Sequence, residues 1–483
     1  MKNFGKMIFG AALIASFASC TNETNFGQES AGQVEEGIPT YARIKLSVNQ
    51  MGSRAGLSRA AAIKDGQESN LNGGVRILVF NKNNVLETIK LIAGPITAEQ
   101  EINELIETTT GEKTIYAIAN PKAGDAGENE AIKNITIGMT LSAFQNLQLN
   151  AVKQEAQGGA SEVLIAKADN FLMVGSGNAT LVSKTGDEYN AVSIDVTRLA
   201  SKVAMKMSEA AKKSDLNFVP ANTAVNVSEA KFQLAQNNKQ SFVYVAPNNF
   251  SPNGADTQAD ETFDNEKVYS HLTVGDWNTT TWKNELGTKG FTDNGDAGTT
   301  ALTMDDFIYT SENINQTPRV GNITFAMIQV KLTPTKFTDE NGMLAGDGTF
   351  YAVAQYDKAA TTKADQIVTY HGIYSTKDKA DAAITQLTAD GKYNCSVITY
   401  TAGISYYRLN LRDLNKKTPF ERYALKRNSY YQVLVNGINN PGVSNVKDLF
   451  PEDQTTPAEE TTNIKATIKV ADWTDIQVTE PLG

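Results

Sequence analysis

The sequence predicts a mainly β protein, two β-sandwich domains in tandem followed by a strand-bearing C-terminal tail. Three observations carry this. Apolar and polar residues alternate over several short runs, the pattern of strands with one buried face. Strand follows strand without regularly intervening helices, which argues against an α/β scheme. The chain has 483 residues, more than one ordinary core serves, so two large domains are expected.

Composition narrows the function classes. Hydrophobic residues make up 41% and charged residues 20%, close to globular averages, so the chain should fold. A formal net charge of -10 disfavours nucleic acid as a partner, because phosphate binding needs a basic surface. Cys20 and Cys395 are too few for a disulfide framework. His271 and His371 stand apart from each other and from any cysteine, so neither a metal site nor a cofactor is expected.

Taken in order, the chain opens with Lys2 and Lys6, an apolar run from Met7 to Phe17, and then Phe17-Ala18-Ser19-Cys20. A basic start, a short apolar core and small residues before a cut describe an export signal, and the run is too short to span a bilayer comfortably. The small residues directly before Cys20 resemble a lipobox, which makes Cys20 the lipidated residue of a bacterial envelope lipoprotein precursor. Residues 21–39 are polar, aperiodic and glycine-bearing, a tether. Tyr41 to Val48 then alternates, with Ala42, Ile44, Leu46 and Val48 on one face of a strand. Asn49 to Ala60 follows at once. It is rich in small residues and holds Arg54 and Arg59, so it reads as an exposed segment open to proteases, or as a loop with solvated arginines.

Val75–Phe80 and Val85–Ile92, joined by an asparagine-rich turn over Asn81–Asn84, predict a hairpin. Thr114 to Pro121 is a strand ended by proline. Glu99–Glu107 and Leu141–Gln154 suggest short helices. The domain boundary is expected near 190, with Ala191–Met207 opening the second domain and Ile194, Val196, Val203 and Met205 facing inward. Further strands are expected over 230–235, 241–245, 323–332, 403–411 and 428–438, with Tyr407, Leu409 and Leu411 sharing a face. A polar, proline-containing spacer from Phe450 to Glu460 precedes Ile464–Val470, where Ile464, Ala466, Ile468 and Val470 again alternate. Asp472 and Trp473 break that alternation.

Nothing in the chain has the pattern of an enzyme site. Asp293-Asn294-Gly295-Asp296 and Asp339-Glu340-Asn341-Gly342 lack the spacing of a calcium loop and read as turns. Gly175-Ser176-Gly177 lacks the context of a nucleotide fingerprint. Asp305 and Asp306 would point to opposite faces of a strand, and there is no Gly-x-Ser-x-Gly elbow. Exposed aromatics such as Trp277 and Trp282 leave a second reading, a surface glycan-binding lipoprotein.

Several of these features, in this order, resemble the fimbrillins of Bacteroidales-type (type V) pili, in particular the Mfa-like major subunit group. The residues concerned are Phe17-Ala18-Ser19-Cys20, Met51 to Gly56, Val196 to Val203, Tyr423 to Tyr431 and Val470-Ala471-Asp472-Trp473. The resemblance implies transthyretin-like or Greek-key sandwiches and no enzymatic activity. It implies a precursor carried to the outer membrane as a lipoprotein with Cys20 lipidated, then cut by an arginine-specific protease between Arg54 and Ala55, or after Arg59. Residues 1–20 would be the signal peptide, 21–54 a propeptide with the removable strand Ala42, Ile44, Leu46 and Val48, and 55–190 and 191–450 the two domains. The tail, 451–483, would donate a strand drawn from Ile464, Ala466, Ile468, Val470, Trp473, Ile476 and Val478 to another subunit. Partners would be other copies of the chain, minor, tip or anchor subunits and the protease. The product would be a surface fimbria supporting adhesion and biofilm formation, with no cofactor.

Overall fold

The computed structural model describes residues 34–48, 68–97, 101–121, 129–153, 162–167, 170–185, 187–244, 250–252, 269–270, 307–339, 343–356, 367–389, 394–450, 456–458 and 464–472. Its first half contains β1 (Pro39–Val48), β2 (Val75–Asn81), β3 (Leu86–Ile92), β4 (Ile106–Thr109), β5 (Gly111–Ala119), β6 (Gln148–Asn150), β7 (Val152–Lys153), β8 (Glu162–Val163), β9 (Met173–Leu181) and β10 (Asn190–Arg198). Seven of these form one sheet in the order β3-β2-β5-β9-β10-β1-β4. The β2-β3 hairpin forms where expected. The Asn81 side chain accepts hydrogen bonds from the backbone N–H of Asn83 and Val85, and Asn84 takes φ 60°, a conformation asparagine tolerates.

The sheet curls until its two edges meet. Glu87 on β3 accepts hydrogen bonds from the Thr108 and Thr109 hydroxyls of β4 at 2.7 and 3.0 Å and pairs with Lys113 at 2.8 Å. Inside lies a core that includes Ile44, Leu46, Ile77, Phe80, Ile106, Ile115, Phe144, Phe171 and Ile194. Two strands of this sheet come close enough that one position tolerates only glycine. A Cβ on Gly175 of β9 would meet the Asp195 carbonyl of β10 at 1.9 Å.

The second half contains β11 (Ala200–Met207), β12 (Lys213–Leu216), β13 (Thr223–Ala235), β14 (Asn237–Asn238), β15 (Gln240–Phe242), β16 (Tyr269–Ser270), β17 (Phe307–Ser311), β18 (Phe325–Pro334), β19 (Phe350–Tyr356), β20 (Ile367–Tyr374), β21 (Asn394–Tyr400), β22 (Ile404–Asn410), β23 (Ser429–Ile438) and β24 (Ile464–Asp472). The sheets β17-β11-β23-β24, β12-β13-β18-β22 and β20-β19-β21 enclose a second core. Tyr407, Leu409 and Leu411 face inward as the alternation predicts. Buried phenols need acceptors: the Tyr400, Tyr407 and Tyr431 hydroxyls donate to the carbonyls of Gly442, Asn440 and Ala424 at 2.7, 2.9 and 2.8 Å. The two halves also touch. β15 pairs with β6, Val243 lies in the first core, and the Tyr116 and Tyr244 rings meet edge to face at 4.8 Å.

Three expectations are corrected. Described residues 101–107 are not helical: Glu101 bridges Lys45, and Ile106 begins β4. Ile102 and Ile106 are four apart, a helical spacing, but both are buried by pairing alongside β1, which overrides the local pattern. Leu141–Gln154 is helical only over Leu141–Gln145, capped by Thr140, and then becomes β6 and β7. The change of core falls between Ala200 and Val203 rather than near 190, because β10 completes the first sheet while β11 begins the next. The strands β19 to β21 and the helix Lys377–Thr388 had no expectation from sequence.

Two outcomes follow for this architecture. Gly175→Ala should destabilise the protein by about 1–3 kcal/mol or more, since the obstruction is backbone and cannot rotate away, and denaturant unfolding will measure it. Partial burial pushes the Glu87 carboxyl up, but hydrogen bonds from Lys113, Thr108 and Thr109 outweigh this and hold it below its ordinary value of 4.5. Its contribution is therefore present above that value and lost as pH falls through the lower folded one. As pH falls from above 4.5 through the lower folded value, wild type should lose stability that Glu87→Gln does not lose, as read by melting curves across pH.

Candidate strand-exchange site

β1 lies inside the first sheet, not at its edge. It runs parallel to β10, with Ala42 opposite Asn190 through Val48 opposite Val196, and antiparallel to β4, with Pro39 opposite Thr109 through Ala42 opposite Ile106. The alternation in its sequence is used in full. Ala42, Ile44 and Leu46 are 0% exposed and Val48 is 4% exposed, all in the first core. The intervening Tyr41, Arg43, Lys45 and Ser47 lie half-buried on the other face.

That outer face is covered lightly. The Arg43 guanidinium stacks over the Tyr189 ring at 4.2 Å, while its Nε is buried without a hydrogen-bond partner. The Tyr189 hydroxyl donates to Glu101 at 2.9 Å, and the Ile102 N–H donates to the Ile44 carbonyl at 2.8 Å. The entry to β1 is fastened more firmly. The Thr40 hydroxyl donates to the Val182 carbonyl at 2.8 Å and accepts from the Lys184 N–H at 3.1 Å and the Asn190 amide at 3.2 Å. The same amide donates to the Tyr41 carbonyl at 2.9 Å.

What surrounds β1 is a slot for a strand. Withdrawing β1 would bare the inner backbone edges of β10 and β4 and leave four apolar recesses in the core, a surface that pairs readily with another strand. The slot is unequal in its walls. β10 pairs with β1 over Asn190–Val196 but with β9 only over Val196–Arg198, so β1 supplies most of the ladder that holds β10.

The C-terminal strand is already engaged. β24 pairs antiparallel with β23 from Ile464 opposite Ile438 to Asp472 opposite Ser429. Ile464 and Ile468 are 3% and 6% exposed in the second core, with Ala466 and Val470 packed against it. Four of the seven residues expected to fill another subunit's slot thus fill this chain's own core. Trp473, Ile476 and Val478 lie outside the described residues, as do Cys20, Arg54, Ala55, Arg59, His271, Trp277 and Trp282.

Sequence reasoning did not identify the walls of the slot. The stretch entering β4 has a helical spacing at Ile102 and Ile106, and β10 reads as the start of the second domain. The buried pairing of Thr40 with Asn190 carries no local signal, since the residues are far apart in sequence. Among the described residues no group of three His, Cys, Asp or Glu could hold a metal. His371 instead bonds Gln355 at 2.6 Å, and burial holds its pKa below the ordinary value.

Residues 398–479, which contain β22, β23 and β24, match the family described as major fimbrial subunit protein type IV, fimbrillin, C-terminal. No curated protein matches the chain. Among solved structures, the chain is similar to a putative cell adhesion protein from Bacteroides eggerthii, at 14% identity over 92% of this chain and 98% of that one, with a TM-score of 0.42. It is also similar to a fimbrilin from Porphyromonas gingivalis, at 13% identity over 89% of this chain and 97% of that one, with a TM-score of 0.41. A fimbrial anchor protein from Porphyromonas gingivalis is similar at 11% identity over 90% of this chain and 98% of that one, with a TM-score of 0.31. The likeness to the fimbrillin C-terminal model is thus confined to residues 398–479, the stretch that carries β22, β23 and β24.

Proposed function

We propose that this chain is a structural subunit of a bacterial surface fimbria that polymerises by strand exchange. It is exported as a lipoprotein through Cys20, and an arginine-specific protease then cuts after Arg54 or Arg59. The cut frees β1, and the slot between β10 and β4 receives a strand from the tail of another copy. One observation carries this reading. An internal strand with four core side chains runs, at Val48, directly into a small-residue segment holding two arginines.

The energetics support it. Burying three large aliphatic side chains contributes roughly 1.5–3 kcal/mol each as an upper estimate, and ladder hydrogen bonds about 0.5–1.5 kcal/mol each. A full strand therefore contributes on the order of 10 kcal/mol, enough to hold β1 until it is cut and to make each subunit joint long-lived. Because slot and donor are different surfaces of the chain, the contact is heterologous and propagates as a filament.

The internal pairing of β24 divides the tail into two parts. Ile464–Asp472 is a root held in the chain's own core, so the donation proposed here falls to the residues after it. In an extended strand Ile476 and Val478 share a face, while Trp473 lies on the other. Minor, tip and anchor subunits would meet the filament through the same slot or tail.

Two measurements test this. Arg54→Ala with Arg59→Ala should leave a lipid-bearing monomer, and normal fibres from that double variant would sink the activation step. Deleting residues 473–483 should yield a subunit that keeps wild-type stability but forms no ladder in mild denaturant. Deleting residues 464–483 should cost several kcal/mol more, about 2–5 kcal/mol for each buried isoleucine, because Ile464 and Ile468 leave the second core. Polymer of wild-type length from the shorter deletion rules out donation by the extreme tail.

A further inference from the structure

The described chain resumes after the arginine-bearing segment at Glu68, and that residue is almost wholly buried. Its carboxylate lies 3.0 and 3.1 Å from the Lys202 ammonium, with the two side chains 4% and 3% exposed. The Tyr309 hydroxyl donates to the same carboxylate at 2.7 Å. Arg198, the last residue of β10, donates from Nε to the Glu68 carbonyl at 2.9 Å and from its two terminal nitrogens to Ser69 Oγ at 2.7 Å and Asn428 Oδ1 at 3.2 Å. Five segments meet here: residues 68–70, the end of β10, β11, β17 and the residue before β23.

Their origins give the cluster its meaning. β10 belongs to the first core, whereas β11, β17 and β23 form the sheet that carries β24. The Lys202 ammonium also lies 5.0 Å from the Tyr430 ring of β23, and the Asn428 N–H donates to the Ala200 carbonyl at 2.8 Å. At the other end, β10 depends on β1 for its ladder over Asn190–Val196 and pairs with β9 only over Val196–Arg198. Once β1 has gone, the backbone ladder that remains on β10 is the one at the end that Arg198 fastens.

We propose that the Glu68–Lys202 ion pair, with Arg198 and Tyr309, is a positioning joint: it fixes the slot wall β10 to the β11-β23-β24 sheet and pins the chain just after the cleavage segment. This rests on the reading that β1 is removed and its slot refilled. With the joint intact, cutting between Val48 and Glu68 releases β1 without loosening the mature chain's new beginning. The slot keeps its shape while empty. In a fibre, tension on the occupant of the slot passes through β10 and its one-residue link into β11, then to β23, β24 and the tail, and the polar junction braces that link. An ion pair suits this position because removing either partner leaves an uncompensated buried charge, which makes the junction all-or-none.

Hydrogen exchange on the full chain, read by mass spectrometry, tests the joint without requiring a polymer. In Glu68→Gln, exchange should accelerate about ten-fold or more together in β10, β11 and β17, while the β2-β3 hairpin stays at wild-type rates. Tyr309→Phe keeps the ion pair and removes one hydrogen bond, so it should move the same segments less; it guards against a Glu68→Gln variant that fails to fold. After an arginine-specific protease has removed β1, the difference between wild type and either variant at β10 should widen. Wild-type exchange rates in both variants, or a change confined to residues 68–70, would overturn the joint. A wild type that is cut but never polymerises would instead sink strand exchange and leave the exchange comparison standing.

Discussion

The position of β1 between β10 and β4 is the constraint on which the rest depends. An edge strand can be lost cheaply, but an internal one leaves two rows of backbone donors and acceptors and a line of empty recesses. Much of the first core is paired without β1. Its other strands, β3-β2-β5-β9, form a continuous antiparallel ladder without β1, and Glu87 ties β3 to β4 independently of it. The core thus has a part whose pairing is independent of β1 and a part, β10 and β4, that is held mainly by it.

The second core serves a different purpose. It roots the tail: β24 completes a sheet through β23, and its alternating residues are consumed in the chain's own packing. The closeness of β24 to β23 and of β23 to β11 brings the root within one sheet of the Glu68 junction, so slot and tail are joined through ordered elements.

Two clusters of buried charge lie where the two halves meet. Glu68, Arg198 and Lys202 lie at one side of this meeting, and Arg427 bonds Glu312 and the Phe242 carbonyl at another. Paired charges and satisfied amides of this kind favour one arrangement of strands over its neighbours.

Much of this was legible in the sequence because period-two alternation is local. β1, the β2-β3 hairpin, β18, β22, β23 and β24 all follow from which residues alternate, and the inward faces of β1 and β24 were fixed by that pattern alone. What the pattern leaves open is the neighbour of each strand. The apolar spacing of Ile102 and Ile106 suits a helix until β1 lies beside it, and β10 and β11 look like one stretch until a change of sheet separates them at Leu199. Nor does any local signal mark Glu68, Lys202 and Tyr309 as partners, since their meeting depends on chain crossings far apart in sequence. Alternation determined which strands exist and which side of each is buried; the slot, the root of the tail and the joint between them were decided by long-range pairing, whose register depends on what else must be buried at the same time.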